Sequence, residues 1–497
     1  MEDAKLDWAY KWLQSPKGLY IGGEFSASSN EQMIDSTNPA TGRKLGNFYA
    51  ATSLDVDRAV ASARMAFDSS SPWRTMSRKD RAKVLHQIAD AIRRHQAELS
   101  TLETLDNGKL YTESWNDDLI ESADIFDYYA GGTDKCYGET SPVEGFALNY
   151  TVREPVGVCA LIVPWNYPIL MAAWKLGPAL SMGNTIILKP SEVTSFSAIR
   201  LFEILNEEVD IPQGVINLVL GGADVGGYLS NHMQIDKIAF TGSTAVGKKL
   251  VHSSADSNLK MLSLELGGKS PNIIFEDVPN LDFAIERSFY GLFTQKGEKC
   301  SAPTRLFVHQ SHYDTVVSHL AEMANSYVLG DPFDPKTNQG PQSSQAQMEK
   351  IMRYIGYGLN EGAKLVAGGT RDTDGSNADG YFIRPTIFAD VDNKMKIAQD
   401  EIFGPVLPVI PFNDEDEVIQ MANDTTYGLA AGLWTKDVSR AHRVASRLEA
   451  GMIFINKYGF YDFAAPFGGF KQSGWGKEYA IHSLESYTKL KSIWVNF

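Results

Sequence analysis

From Leu54 to Gln96, apolar residues recur at the three-and-four spacing of a helix, with charged positions between them. Ser53 stands where a helix cap belongs. The first third of the chain therefore reads as a mainly helical scaffold after a short β-rich start. From Val156 the pattern changes. VGVCALIV (156–163) is an unbroken apolar run, the mark of a strand buried on both faces, and Pro164 ends it. Tyr167 to Met182 follows at helical spacing. NTIILKP (184–190), a helix from Ser195 to Glu208, VINLVL (215–220), a short helix and DKIAF (236–240) continue the alternation, and TGSTAVGKKLV opens a further helix. Strands separated by helices of this length predict a doubly wound parallel sheet in an α/β fold. Such sheets bind ligands beyond the carboxyl ends of their strands.

A second α/β series runs from Pro271 to Ala450, with PNIIF, RLFVH and KLVAGG as strands and a helix over 313–327. It predicts a second domain. Two segments fit neither series, the extended stretch Tyr137 to Glu154 and the β-rich end YTKLKSIWVNF. An aromatic, β-branched tail left alone exposes a sheet edge, so it is expected to pair with another subunit.

Composition narrows the picture. The 497 residues exceed one ordinary core and fit two or three lobes. A net charge of -15 repels phosphate backbones, which excludes nucleic acid as a partner but not a nucleotide in a local pocket. Three scattered cysteines without a CxxC predict a reducing, cytoplasmic setting. The N-terminus has no apolar leader pattern, and no apolar run approaches the roughly 20 residues that cross a bilayer. His309 and His312 form an HxxH with no third ligand nearby in sequence, so no catalytic metal is expected.

Several short stretches carry candidate chemistry, each with a plain structural alternative. Cys300 lies between Lys296, Gly297 and Lys299 on one side and SAPTR on the other. Nearby cations would lower its thiol pKa and make it a nucleophile. The alternative is an inert buried thiol, the reading given to Cys136 and Cys159. Glu265 ends a strand before a Gly-Gly pair, where a carboxylate can serve as general base or merely flank a turn. In FTGSTAVG (240–247), Gly242 and Gly247 permit close backbone approach and Ser243 can cap a helix whose N-terminus attracts phosphate. Asn166 in PWNYP offers an amide for an oxyanion, or an Asx turn. Lys189 and Glu192 in LKPSE can meet a ribose diol, or form a solvated pair. EIFGPV (401–406) is a loop bearing a glutamate and an aromatic ring.

The order and spacing of PWNYP, KPSE, FTGSTAVG, LELGGKSPNIIF, GEKCSAPTR, EIFGPV and PFGGFKQSG resemble the aldehyde dehydrogenase superfamily, from NPATG (38–42) to the tail. The match is nearest the betaine aldehyde and general aliphatic aldehyde group. The resemblance implies an NAD-binding domain over 1–136 and 155–265, a catalytic domain over 266–470, and a small β oligomerisation element over 137–154 and 478–497 of a homodimer or homotetramer. It implies Cys300 as nucleophile, Glu265 as base, Asn166 as oxyanion donor, and Lys175 with Glu478 as a proton relay. Cofactor contacts fall on Ile162, Pro164, Trp165, Lys189, Ser191, Glu192, Gly222, Phe240, Gly242, Ser243, Val246, Leu266, Glu401 and Phe403. Tyr167, Trp174, Phe293 and Phe467, with Phe460, are expected along the aldehyde tunnel. Glu192 would repel a 2′-phosphate, favouring NAD over NADP. The base at 265 implies hydrolysis to the acid rather than transfer to coenzyme A. Two departures stand out: Glu298 where many members have glutamine, and Pro303 ahead of Arg305 where many have glycine. The rival readings are a cysteine hydrolase without redox chemistry, a binding protein on a borrowed scaffold, and reduction of an activated acid.

Overall fold

The computed structural model describes residues 2–497, with side chains from Lys5 onward. Its first sheet has eight strands, in the order Glu24–Ser26, Leu19–Ile21, Ile216–Leu218, Thr185–Lys189, Val158–Ile162, Lys237–Thr241, Met261–Glu265 and Gly474–Trp475. The five from Ile216–Leu218 to Met261–Glu265 run parallel, and the outer ones pair antiparallel. The parallel set starts at Val158–Ile162, grows outward through Thr185–Lys189, and then returns to the other side with Lys237–Thr241. Strand order thus reverses between Val158–Ile162 and Lys237–Thr241, and a crevice opens beyond their carboxyl ends. Both strands are buried throughout, which is why they read as apolar runs.

The second sheet orders Lys364–Ala367, Thr386–Ala389, Val406–Phe412, Arg305–His309, Pro271–Ile274, Ala430–Trp434 and Met452–Ile455. All are parallel except the first, and two hydrophobic clusters pack against this sheet. The short strand Gly474–Trp475 brings the chain back to the first sheet, with Glu265 opposite Gly474 on one side and Thr241 on the other. That pairing fixes the backbone of Glu265 at the sheet's end.

Several expectations need correction. A helix, Glu2–Leu13, precedes the first strands. The helical third is broken into Ser53–Phe67, Pro72–Thr75, Arg78–Arg94 and Gln96–Asn107. Its first cap is Thr52, not Ser53: Thr52 Oγ1 accepts from the Asp55 N–H at 3.3 Å, and the Asp55 carboxylate accepts from the Thr52 N–H at 2.9 Å. This reciprocal pair satisfies two donors that Ser53 could not reach. The tail Thr488–Asn496 pairs with Ala147–Pro155 of its own chain, from Thr488 opposite Pro155 to Asn496 opposite Ala147. The long antiparallel register satisfies one edge of the tail within its own chain and leaves the other edge unpaired, since this strand ends its three-stranded sheet. A π-helical turn, Ser114–Asp118, interrupts the helical run before Leu119–Ala130.

Candidate active site

Between the two sheets lies a cavity of about 830 Å³. Cys300 and Asn166 both line it. Asn166 stands in the turn that follows Val158–Ile162, so the crevice of the first sheet opens directly onto the thiol.

Cys300 follows a tight turn over Thr294–Gly297 in which Gln295, Lys296 and Gly297 are successively left-handed, with φ of 54°, 61° and 74°. For the two non-glycine residues this conformation costs about 1–3 kcal/mol each and persists only where surrounding contacts enforce it. Gln295 Nε2 donates to the Asn166 carbonyl at 2.6 Å, and Asn166 Nδ2 donates to the Glu298 carbonyl at 2.8 Å. The Cys300 loop and the Asn166 turn are thereby stitched together.

The expected activation of Cys300 by neighbouring lysines is not what the side chains do. Lys296 Nζ donates to Asn107 and Ser343, and Lys299 Nζ to Thr294 Oγ1 at 3.3 Å. Burial instead pushes the Cys300 thiol up to about 12, helped by the Glu265 and Glu401 carboxylates. Desolvation penalises the thiolate more than distant cations can offset. Of the other thiols, Cys159 is buried in its strand and Cys136 is half-buried.

Glu265 is absent from the cavity lining. A Cβ at Gly468 would sit 2.7 Å from its Oε1, and its Oε2 is buried without a partner. Burial holds this carboxyl well above the usual range. Glu478 raises it further, while Lys175 and Lys477 pull it down. Lys175 and Glu478 form a buried pair at 2.6 Å.

On the crevice side, Pro164, Trp165, Gly242, Ser243, Leu266, Glu401 and Phe403 line the cavity. Ser243 caps the helix Thr244–Asp256 by accepting from the Val246 N–H at 3.3 Å. Glu401 Oε1 accepts from the Gly268 N–H at 2.9 Å, and a Cβ at Gly267 would lie 2.5 Å from its Oε2. Phe403 stands edge-on to Trp165 at 5.3 Å. Ile162, Lys189, Ser191, Glu192, Gly222, Phe240 and Val246 lie outside the cavity, at the strand ends or helix starts of the first sheet. Lys189 Nζ lies 3.9 Å from Glu192 Oε2, and the Glu192 side chain is 44 % exposed.

On the far side Tyr167, Trp174, Phe460 and Phe467 line the cavity. Phe293 does not. It is fully buried in the second lobe, its ring 4.4 Å from that of Phe289. At its helical position an apolar ring faces the core as readily as a tunnel, and here the core wins. Pro303 packs against Gly291 rather than the cavity.

Several lining residues carry no sequence signal. Asp117 and Asp118 come from the π-helical turn, whose polar residues look like surface. Tyr461, which hydrogen-bonds Ser301 at 2.6 Å, and Gln347, which holds the Phe403 carbonyl at 2.6 Å, carry no motif signal. Among the described residues no helix is long and apolar enough to cross a membrane.

A half-buried thiol and an amide donor thus share one cavity at the switch point of a doubly wound sheet, the place where such sheets bind ligands. Comparison with known proteins specifies the class. The model of the aldehyde dehydrogenase family matches residues 25–493. Bacillus subtilis DhaS is 48 % identical over 486 residues, covering 98 % of this chain and 97 % of its own length. Mouse aldehyde dehydrogenase 1A1 is 44 % identical over 476 residues, 96 % of this chain and 94 % of its own. The NAD+ complex of an aldehyde dehydrogenase from Bacillus cereus superposes with a TM-score of 0.95 at 44 % identity, covering 99 % and 98 % of the two chains. The chain belongs to the aldehyde dehydrogenase family.

Proposed function

We propose that this enzyme oxidises an aldehyde to the carboxylic acid with NAD, through a thioester on Cys300 that water hydrolyses. The observation that carries this reading is that Cys300, Asn166, Glu401 and Phe403 share one cavity at the switch point of the first sheet.

The crevice fits the cofactor. The capped N-terminus of Thr244–Asp256 offers backbone N–H groups to a pyrophosphate. Thr241 Oγ1 is buried and unpartnered at the same strand end. Glu401, held by Gly268, would orient a ribose, with Phe403 beside it. Lys189 and Glu192 would take the adenosine ribose, and the Glu192 carboxylate would repel a 2′-phosphate. Bound there, NAD supplies the hydride acceptor that raises the Cys300 adduct from aldehyde to acyl oxidation level.

The chain's own residues do the rest. Cys300 gives its thiol proton to water in the cavity, and the sulfur bonds to the aldehyde carbon. The second N–H of the Asn166 amide and the Cys300 backbone N–H receive the oxyanion. Turning of the Glu265 side chain away from Gly468 brings the carboxylate toward the thioester. There it takes a proton from water, and the hydroxide adds to the acyl carbon and expels the Cys300 thiolate. The Lys175–Glu478 pair behind Glu265 passes that proton onward.

The aromatic wall of Tyr167, Trp174, Phe460 and Phe467 suits an aliphatic or aromatic aldehyde. The free outer edge of Thr488–Asn496, with Trp494 64 % exposed, supports a homodimer or dimer of dimers, and a monomer by light scattering would contradict it. Product analysis with NAD, an aldehyde and coenzyme A tests the chemistry. Acid is expected, and acyl-coenzyme A as the main product would overturn the hydrolytic step.

A further inference from the structure

Four residues before Cys300, Lys296 is fully buried. Its Nζ lies 3.0 Å from Glu298 Oε2, and Glu298 is fully buried too. Burying such a pair is costly unless every remaining donor and acceptor is met. Here they are. Lys296 Nζ donates to the Asn107 carbonyl and Oδ1, both at 2.8 Å, and to Ser343 Oγ at 3.0 Å. Ser343 returns its hydroxyl proton to Glu298 Oε2 at 2.6 Å and its N–H to Oε1 at 3.0 Å. The network then reaches the active site by two routes. Asn107 Nδ2 donates to the Trp165 carbonyl at 2.7 Å, and the Glu298 carbonyl accepts from Asn166 Nδ2 at 2.8 Å. Lys296 is also one of the two left-handed non-glycine residues of the turn, so its ion pair is among the contacts that hold this backbone.

We propose that Lys296 and Glu298 are a positioning pair: their mutually neutralised contact holds the left-handed turn, and through it sets Cys300 and the Asn166 amide in register. Neither side chain of the pair lines the cavity. Two amides could replace it, because no buried charge would remain and both can hydrogen-bond within the Asn107 and Ser343 network. A single amide could not, because one buried charge would remain.

The inference rests on Cys300 being the nucleophile, and its test does not require turnover. The rate at which iodoacetamide alkylates Cys300, followed by mass spectrometry on the folded, full-length enzyme, is compared for wild type, K296Q, E298Q and K296Q/E298Q. Both single variants are expected to slow alkylation about fivefold or more, and the double variant to return within about twofold of wild type. In turnover, kcat should follow the same order while KM for NAD stays unchanged. A purely electrostatic influence would move the singles in opposite directions, E298Q faster and K296Q slower, and that result would overturn the proposal. So would folded singles that react like wild type. If the singles fail to fold, the double decides: wild-type alkylation supports the pair, whereas a slow or misfolded double variant refutes it. A wild type that is alkylated at Cys300 but oxidises no aldehyde would count against the proposed reaction and leave this comparison intact.

Discussion

Lys175 Nζ lies 2.6 Å from Glu478 Oε1, and the two side chains are buried where both act on the Glu265 carboxyl, in opposite directions. Glu265 must be ionised to take a proton from water, so thioester hydrolysis should rise with pH through its raised pKa. Lys175→Met removes a cation that favours the carboxylate. It should move this acidic limb to higher pH. Glu478→Gln should move it the other way. The pH profile of thioester hydrolysis checks both, and shifts in the same direction would refute the coupling.

Asn166 has one amide N–H on the Glu298 carbonyl and another left for substrate. Asn166→Ala should lower kcat by about 10²–10³ while KM for NAD changes little. A loss confined to KM would mean that the amide binds substrate without stabilising the oxyanion.

Lys109 is a buried cation bound to Glu103 at 3.1 Å and to Asp118, with its Nζ 4.5 Å from the centre of the Tyr167 ring. Lys109→Met would strand two buried carboxylates under the cavity wall. It should destabilise the fold by about 3–5 kcal/mol in urea unfolding. Adding Glu103→Gln and Asp118→Asn should recover most of the loss. If it does not, the cation matters for something other than neutralising this pair.

Asp106 gives the fold a pH dependence. Its buried carboxyl is pushed up to about 7 by burial, although it accepts from Ser36 Oγ at 2.6 Å and from the Phe196 N–H at 2.9 Å. Between the ordinary value of 3.8 and about 7, the native state binds this proton more tightly than the unfolded chain. This contribution is therefore fully present at low pH and is lost as pH rises through about 7. Asp106→Asn keeps the shape and removes the titration. Its melting temperature relative to wild type should be higher at pH 8 than at pH 5, and parallel curves would contradict the shift.

How much of this was legible beforehand depends on what each feature leaves in the sequence. Val158–Ile162 and Thr185–Lys189 were readable because strands buried on both faces must be apolar throughout. Ser243 was readable because a helix start calls for a capping hydroxyl, whereas Asn166, Gly242 and Cys300 stood out only through the order and spacing of the motifs that resemble the family. The side-chain partners were not readable. Lys296 and Lys299 flank Cys300 in sequence, but only the fold turns one ammonium to Glu298 and the other to Thr294. Ser343 and Asn107 reach the nucleophile loop from distant segments, with no motif to announce them. Phe293 looked like a tunnel residue because its spacing is the same for core and cavity.

In the proposed reaction Cys300 forms the covalent intermediate and Glu265 releases it. This reaction is tested most directly by rapid mixing of enzyme, NAD and a short aliphatic aldehyde, following NADH absorbance in wild type, Cys300→Ala and Glu265→Gln. Steady NADH formation is expected in wild type and none in Cys300→Ala. Glu265→Gln should give a burst of one NADH per active site, followed by turnover slowed about 10²–10⁴-fold. NADH formation by Cys300→Ala at the wild-type rate would contradict this reaction.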